Sequence, residues 1–83
     1  MTAYSQEFTS TKDFSVGDLF LNKEGEAHCY IIKIVQYRKG SQYEFELSYF
    51  NKDRDRYNPI YMNTLRLKDN IRFSGWKHVP VVK

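Results

Sequence analysis

Residues 27–50 carry the clearest alternation of apolar and polar positions in the chain, and they predict a β-hairpin. Residues 27–37 are rich in Ile, Val and Tyr, which favour strands over helices. Residues 42–49 alternate polar and apolar side chains with period two, as a strand in a half-buried sheet does. A glycine lies in the intervening residues 38–41, so the pattern predicts two strands joined by a tight turn.

The same positions predict how the two strands pair. A two-residue loop at Lys39 and Gly40 would place Lys33 opposite Glu46, which is an opposite-charge cross-strand pair. Shifting the pairing by one residue would turn every side chain to the other face and lose this match. The apolar pairs predicted by this register are Ile34 with Phe45, Ile32 with Leu47, and Tyr30 with Tyr49.

Segments on either side of the hairpin predict further strands and loops. Residues 14–21 predict a turn that leads into a strand, and residues 22–26 predict a second turn. Residues 51–58 contain five consecutive charged side chains, precede a proline, and predict a polar loop. Residues 76–82 predict a last strand, which Pro80 marks as an edge or as the strand's end.

The segment before the last strand has an ambiguous pattern. Residues 64–68 alternate like a strand. Asn63 or Thr64 could instead cap a short helix that runs to about Asn70. The apolar stripe of such a helix is incomplete, so the pattern favours a strand, and a short helix within residues 62–70 stays open as the alternative.

Length and spacing predict one small domain. A chain of 83 residues has room for a single domain, which we assign to residues 13–83. Residues 1–12 are mostly polar and predict a flexible or loosely docked leader. Five predicted strands about 8 to 14 residues apart, joined by Gly, Asn and Asp turns, are typical of a small antiparallel barrel or sandwich. The predicted fold class is therefore all-β, with one short helix as the open alternative.

Residues 14–50 resemble the opening of SH3-like small barrels of the KOW and Tudor type. The features they share are Val16-Gly17-Asp18, a following strand, a glycine turn, and the run Tyr30-Ile31-Ile32-Lys33-Ile34. This resemblance implies a five-stranded antiparallel barrel. The chain also resembles the compact single-domain accessory proteins that bacteriophages encode, which implies a protein that acts on a host protein in the host cytoplasm.

Charge is distributed unevenly along the chain, whose formal net charge is +3. Residues 1–26 hold five acids and two bases, whereas residues 27–83 hold eleven bases and five acids. A basic face would attract a polyanion or an acidic partner, although an ordinary solvated surface has the same composition. The single cysteine excludes an internal disulfide, and we expect a cytoplasmic protein because no signal peptide or membrane-spanning run is evident.

Side chains suited to catalysis or metal binding are few. His28 and Cys29 adjoin in a predicted strand and would point to opposite faces, so with His78 they predict no metal site or nucleophile pair. Glu44 and Glu46 share one strand face, where acid–base catalysis would need a desolvated cleft. We therefore expect no catalytic residue, no cofactor, no metal and no small-molecule substrate.

Arginine and tyrosine side chains in and after the charged loop form the best candidate binding surface. Tyr, Trp and Arg are enriched at protein interfaces, and Arg beside aromatic rings also suits unpaired nucleic acid. Trp76 is expected in the core, because it leads an apolar strand. The residues that we assign to partner binding are Lys52, Arg54, Arg56, Tyr57, Tyr61, Arg66, Lys68 and Arg72.

Together these features predict a non-catalytic binding module for another macromolecule. A protein partner is favoured, so the chain would be a protein-interaction or inhibitor protein. The alternative is a small barrel that binds nucleic acid through a surface of basic and aromatic side chains. Both hypotheses use the same residues, and the pattern of the sequence does not separate them.

Overall fold

The computed structural model describes residues 5–37 and 42–81, so the predicted loop at Lys39 and Gly40 lies outside the described residues. The described part is mostly β with one short helix, which agrees with the predicted fold class at that level. The elements are β1 (Ser5–Phe8), β2 (Leu19–Leu21), β3 (Ala27–Tyr37), β4 (Tyr43–Asn51), β5 (Arg56–Asn63), α1 (Thr64–Phe73) and β6 (Lys77–Val79).

All paired strands run antiparallel in one open six-stranded sheet, with the order β5-β4-β3-β2-β6. β4 occupies one edge of β3, and β1 and β2 share the other edge. Residues 5–8, which the sequence places in a leader, form β1 and pair with residues 34–37. β6 comes last in the chain and returns to pair with β2.

The β3–β4 hairpin confirms two of the predicted pairs. Ile34 lies opposite Phe45, and Lys33 lies opposite Glu46. The register then shifts, because Ile32 is an extra residue that forms a β-bulge in β3. The alternating pattern of residues 42–49 therefore holds along β4, whereas β3 does not alternate regularly.

Beyond the bulge, two predicted pairs are wrong: Ile32 does not lie opposite Leu47, and Tyr30 does not lie opposite Tyr49. The reason is the packing of the core. Ile31 and Ile34 are both fully buried, so the two residues between them lie together on the outer side. The observed pairs are Ile31 with Leu47, Tyr30 with Ser48, and Cys29 with Tyr49.

β5 replaces the second half of the predicted loop. The loop predicted for residues 51–58 is confirmed at residues 52–55, which form a turn, and is wrong at Asn51, which ends β4, and at residues 56–58, which belong to β5. Pro59 is tolerated because β5 is an edge strand. One side of an edge strand has no neighbouring strand, so a residue without an N–H costs no inter-strand hydrogen bond on that side. Asp55 closes the short turn with a positive φ of 52°.

α1 is the helix that the sequence left as the alternative, so the favoured strand at residues 64–68 is wrong. Asn63 caps the helix, and its side-chain oxygen accepts a hydrogen bond of 2.8 Å from the N–H of Arg66. The helix is held by the burial of Leu67 against the sheet. No helix among the described residues is long and apolar enough to cross a membrane.

The core lies between the inner face of the sheet and α1. Trp76 packs against this core, as predicted, and is partly buried. Strands β1 to β5 and the helix each contribute at least one side chain to this apolar cluster. The largest fully buried side chains are Phe20, Phe45, Ile31, Ile34, Leu47 and Leu67.

Candidate functional site

β5 presents tyrosine rings on the face of the sheet that points away from the core. Its side chains alternate, so that Ile60 and Met62 pack inward against the core. Tyr57, Pro59 and Tyr61 lie on the opposite face and are exposed. Tyr57 keeps 61% of its surface accessible and Tyr61 keeps 58%, so neither ring serves to fill the core.

Tyr57 lies in a cluster of rings that extends across three strands. Phe50 is its cross-strand partner on β4, and the two ring centroids are 5.2 Å apart. The ring of Tyr30 on β3 meets the Tyr57 ring edge to face at 6.4 Å. Ser48 lies between Tyr30 and Pro59 in the cross-strand row, and its small side chain leaves room for the two tyrosines to meet.

The β-bulge adds an aliphatic side chain to this face. Because Ile31 and Ile34 both point into the core, Ile32 and Lys33 both lie on the outer side, and Ile32 is exposed. Contiguous exposed apolar surface of this kind is typical of binding sites, unlike single apolar residues scattered on a surface. We call this surface the outer aromatic face, and its members are Tyr30, Ile32, Phe50, Tyr57 and Tyr61.

Charged side chains beside the outer aromatic face carry both signs. Nζ of Lys33 lies 3.2 Å from Oε1 of Glu7 on β1. Glu46 lies opposite Lys33 and next to Tyr61 in the cross-strand register. Glu44 follows on the same side of β4. The carboxylates of Glu7, Glu44 and Glu46 disfavour a polyanion on this side of the face, whereas bases lie at the turn between β4 and β5.

The predicted site residues fall into two groups at opposite ends of β5. The first group surrounds the turn between β4 and β5. Nζ of Lys52 forms an ion pair of 3.1 Å with Oε1 of Glu26. Arg54 lies at the tip of the turn, where Oδ1 of Asn51 accepts its backbone N–H at 3.3 Å. Arg56 begins β5 and is exposed beside Tyr57 of the outer aromatic face.

The second group lies on α1, beyond the other end of β5. Nζ of Lys68 pairs with Oδ2 of Asp13 at 3.1 Å, whereas Arg66 and Arg72 are exposed on the helix. Eight residues of strand at about 3.3 Å each separate the two groups by roughly 20–25 Å. The structure therefore does not bring the eight predicted residues into one compact site.

Three members of the outer aromatic face were missed by the sequence reasoning: Tyr30, Ile32 and Phe50. The register predicted from the sequence has no bulge, and it places Tyr30 and Ile32 on the core side of the strand. A regular strand cannot bury both Ile31 and Ile34, but it can bury Ile32 and Ile34, and the sequence fits either arrangement. The pattern of β3 alone therefore carries no signal that identifies these residues as outward-facing.

A second polar site joins the turn before β2 to β6 and the residues that follow it. Asp18 is buried, and its Oδ2 accepts hydrogen bonds from the Ser15 N–H at 3.0 Å and from Nε2 of His78 at 2.7 Å. Its Oδ1 accepts the N–H of Val81 at 2.9 Å. The ring of His78 stacks on Phe20, with centroids 5.2 Å apart. This arrangement ties β6 and the following residues to the turn before β2.

The side chain of Cys29 belongs to the core. Burial raises the pKa of the Cys29 thiol to about 12, which leaves almost no thiolate at neutral pH. Burial also lowers the pKa of His28, whose ring packs between Tyr49 at 4.8 Å and Trp76 at 4.9 Å. The environment of both side chains suits packing and does not activate either group for catalysis.

The outer aromatic face is therefore defined by its own geometry. The rings of Tyr30, Tyr57 and Tyr61 are exposed, the ring of Phe50 between them is partly buried, a bulge adds Ile32, and the border carries charges of both signs. The chain was compared with protein-family models, curated proteins and solved structures. None of them matches it.

Proposed function

We propose that this protein is a non-catalytic binding module that recognises a protein partner through the outer aromatic face. The observation that carries the proposal is the contact of the exposed Tyr57 ring with both Phe50 and Tyr30. Rings that pack on one another are already ordered, so little side-chain entropy is lost when a partner covers them. Clustered tyrosines are also the side chains on which interface energy concentrates.

Charge supports a protein partner over nucleic acid at this face. Glu7, Glu44 and Glu46 lie beside Lys33 on or next to the outer aromatic face. Phosphate groups placed over Tyr61 would approach the carboxylate of Glu46, which lies opposite it in the register. A protein surface can match both signs of charge, which favours specificity.

The turn between β4 and β5 extends the proposed site at one border. Arg54 and Arg56 adjoin Tyr57 and form no ion pair within residues 5–37 and 42–81. Charges at the border of an interface mainly affect the association rate. The predicted residues of the turn, Lys52, Arg54 and Arg56, are thus proposed as border residues, and Tyr57 and Tyr61 are proposed as the centre.

The finer fold assignment and the biological role are parts of the same proposal. An SH3-like barrel is supported by a short helix directly before the last strand and by the pairing of that strand with β2. A protein-interaction or inhibitor protein, as phage accessory proteins are, needs a rigid surface that occludes its partner. The ordered rings of the outer aromatic face would provide such a surface.

The proposal is tested with the double variant Tyr57→Ala/Tyr61→Ala. Partners are captured from the native cell with the full chain and identified by mass spectrometry, and affinity for the purified partner is measured by calorimetry. We expect the double variant to lose about a hundredfold or more in affinity, since central aromatic residues contribute roughly 2 kcal/mol each. The control is Val79→Ala, which trims an exposed apolar side chain on β6. Unchanged affinity in a folded double variant would remove the outer aromatic face from the site.

Nucleic-acid binding is the second candidate, and one observation favours it. Arg54 and Arg56 lie beside the exposed ring of Tyr57, which is the pairing of basic and stacking groups that unpaired bases require. Affinity for a short single-stranded oligonucleotide is measured at about 50 and 300 mM NaCl. Several phosphate contacts demand a steep loss of affinity with salt. Absence of binding at the lower salt concentration rejects this candidate.

A further inference from the structure

α1 exposes two large apolar side chains on the side that faces away from the core. Leu65 is 68% exposed and Phe73 is 75% exposed, whereas Leu67 is fully buried beneath them. A ten-residue helix on a small domain needs only one apolar stripe to hold it in place, and Leu67 already supplies that contact. The contacts of α1 therefore give the two exposed apolar residues no role in holding the helix on the sheet.

Helical geometry gathers these two residues and two arginines on one face. At about 100° per residue, Arg72, Leu65, Asp69, Phe73 and Arg66 follow one another within an arc of roughly 120°. Leu67 lies outside this arc, on the buried side. The outward face of α1 thus has an arginine at each border, an apolar pair inside them, and one carboxylate in the middle.

The face also has a concave shape. A depression of about 420 Å³ opens along it, lined by Leu65, Arg66, Asp69 and Phe73 together with Asn63 and Ser74. A second depression of about 330 Å³ lies on the other side of Leu65, between the start of α1 and Tyr43. Leu65 therefore forms a ridge between two hollows that are large enough for side chains of a partner.

The two arginines have no carboxylate partner, which distinguishes them from their neighbour. Lys68 is neutralised by Asp13, but neither Arg66 nor Arg72 forms an ion pair with any residue that the structure describes. The guanidinium of Arg72 lies 5.8 Å from the centre of the Phe73 ring, a cation–π contact that keeps it on the surface. Its N–H groups stay available to a carboxylate, which a guanidinium binds with two parallel hydrogen bonds.

We propose that the outward face of α1 binds an acidic peptide segment of another protein, with an apolar side chain of that segment in the depression beside Leu65 and Phe73. Charge complementarity identifies the occupant, because two unpaired guanidinium groups flank an apolar hollow. A lipid surface fits less well, since the carboxylate of Asp69 lies between the two apolar residues that would have to enter it.

This surface is independent of the outer aromatic face. Tyr61 of the outer aromatic face lies two residues before Asn63, the cap of α1, but the site on α1 requires none of the exposed tyrosines. Either surface can therefore be wrong without affecting the other. If both are right, the protein contacts two separate regions of its partners.

The test begins with a phage-displayed library of random peptides of about 12 residues, selected on the full chain. We expect the enriched peptides to combine Asp or Glu with Leu, Met, Phe or Trp. The best peptide is labelled, and its affinity is measured by fluorescence anisotropy. Arg66→Gln and Arg72→Gln should each weaken binding roughly threefold to tenfold, and Phe73→Ser should weaken it about as much. Lys12→Gln, which removes an equal charge elsewhere, should change affinity less than twofold.

Asp69→Asn supplies the sharpest outcome, because it should strengthen binding of the acidic peptide about twofold to fivefold. A residue with a merely structural role would not give a gain. Enrichment of peptides without acidic residues overturns the proposal, and so does failure to enrich any peptide. Equal affinity for a polyglutamate peptide, a single-stranded oligonucleotide or vesicles with anionic lipid would overturn it as well, since each would show attraction by charge alone.

Discussion

Oδ2 of Asp18 lies 2.7 Å from Nε2 of His78, although sixty residues of chain separate the two. The backbone N–H groups of Ser15 and Val81 complete the hydrogen bonds of this buried carboxylate. An ionised carboxylate accepts and does not donate, so Nε2 of His78 carries the hydrogen of the shared bond. A single side chain thereby holds the turn before β2 against the C-terminal strand β6.

Replacing this carboxylate should destabilise the whole fold. Asp18→Asn keeps the size of the side chain but places an amide where three donors converge, so at least one buried donor loses its acceptor. We expect the free energy of unfolding in urea at neutral pH to fall by about 1–3 kcal/mol. Asp53→Asn, in the exposed turn between β4 and β5, is the control and should change stability by less than about 0.5 kcal/mol. Equal stability of the two variants would contradict a structural role for Asp18.

The contribution of Asp18 should also depend on pH. Burial acts to raise its pKa, but the hydrogen bonds from Val81, His78 and Ser15 outweigh burial and hold the pKa below its ordinary value. The unfolded chain therefore takes up a proton at higher pH than the folded chain. The stabilisation is complete above the unfolded pKa of about 3.9 and is lost as the pH falls through the lower, folded pKa. The stability difference between wild type and Asp18→Asn should shrink from about pH 5 to about pH 2, and a constant difference would be inconsistent with this pKa shift.

Cys29 should be inert towards thiol reagents while the protein is folded. A pKa of about 12 leaves roughly one thiolate in ten thousand at pH 8, and the side chain is buried as well. Reaction with a disulfide reagent is followed by absorbance in buffer and in guanidinium chloride. We expect one equivalent of the coloured thiol to be released from the reagent for each protein molecule, and rapidly only after the protein has unfolded. Rapid reaction of the native protein would show that Cys29 is accessible and that the core around it opens.

The β-bulge at Ile32 can be tested by comparing alanine substitutions at Ile31 and Ile32, because the bulged register and a regular register bury different isoleucines. Ile31→Ala should lower the free energy of unfolding by about 2–5 kcal/mol, because its side chain is fully buried. Ile32→Ala should lower it by less than about 1 kcal/mol, because Ile32 lies on the outer face. Urea unfolding measures both. In a hairpin without the bulge the two costs would be exchanged, so the larger loss at Ile32 would refute the register.

This bulge also shows which part of the fold the sequence could predict. Residues 42–49 have one consistent period, and most of β4 follows from it together with the pairs at Ile34 and Lys33. In β3 nearly every residue is apolar or aromatic, so period alone does not assign its faces. The faces of β3 are set by the packing of the core, in which both Ile31 and Ile34 are buried. Such tertiary packing is not visible in the pattern of one strand.

The candidate site was predictable to the same partial extent. Tyr57 and Tyr61 were identified from composition, and the alternation of β5 places both on the outer face. Arg66 fell in the strand favoured at residues 64–68, but Arg66 and Arg72 both lie on the helix that follows β5. Asn63 decided between strand and helix, because its side chain satisfies an N–H at the start of α1 that has no partner inside the helix. A capping signal rests on a single residue, so it does not decide the prediction when the apolar stripe of the helix is incomplete.

The cap at Asn63 can be measured directly. Asn63→Ala removes the 2.8 Å hydrogen bond to the N–H of Arg66 and should lower the free energy of unfolding by about 0.5–2 kcal/mol. Asn63→Asp retains an acceptor at the same place and should restore most of the loss, since a carboxylate also suits the positive end of a helix. Asn58→Ala, within β5, controls for loss of an asparagine from the neighbouring strand. If Asn63→Asp were as unstable as Asn63→Ala, the side chain would act through some contact other than the cap, and residues 64–68 would have to be reconsidered as the strand that their alternation suggests.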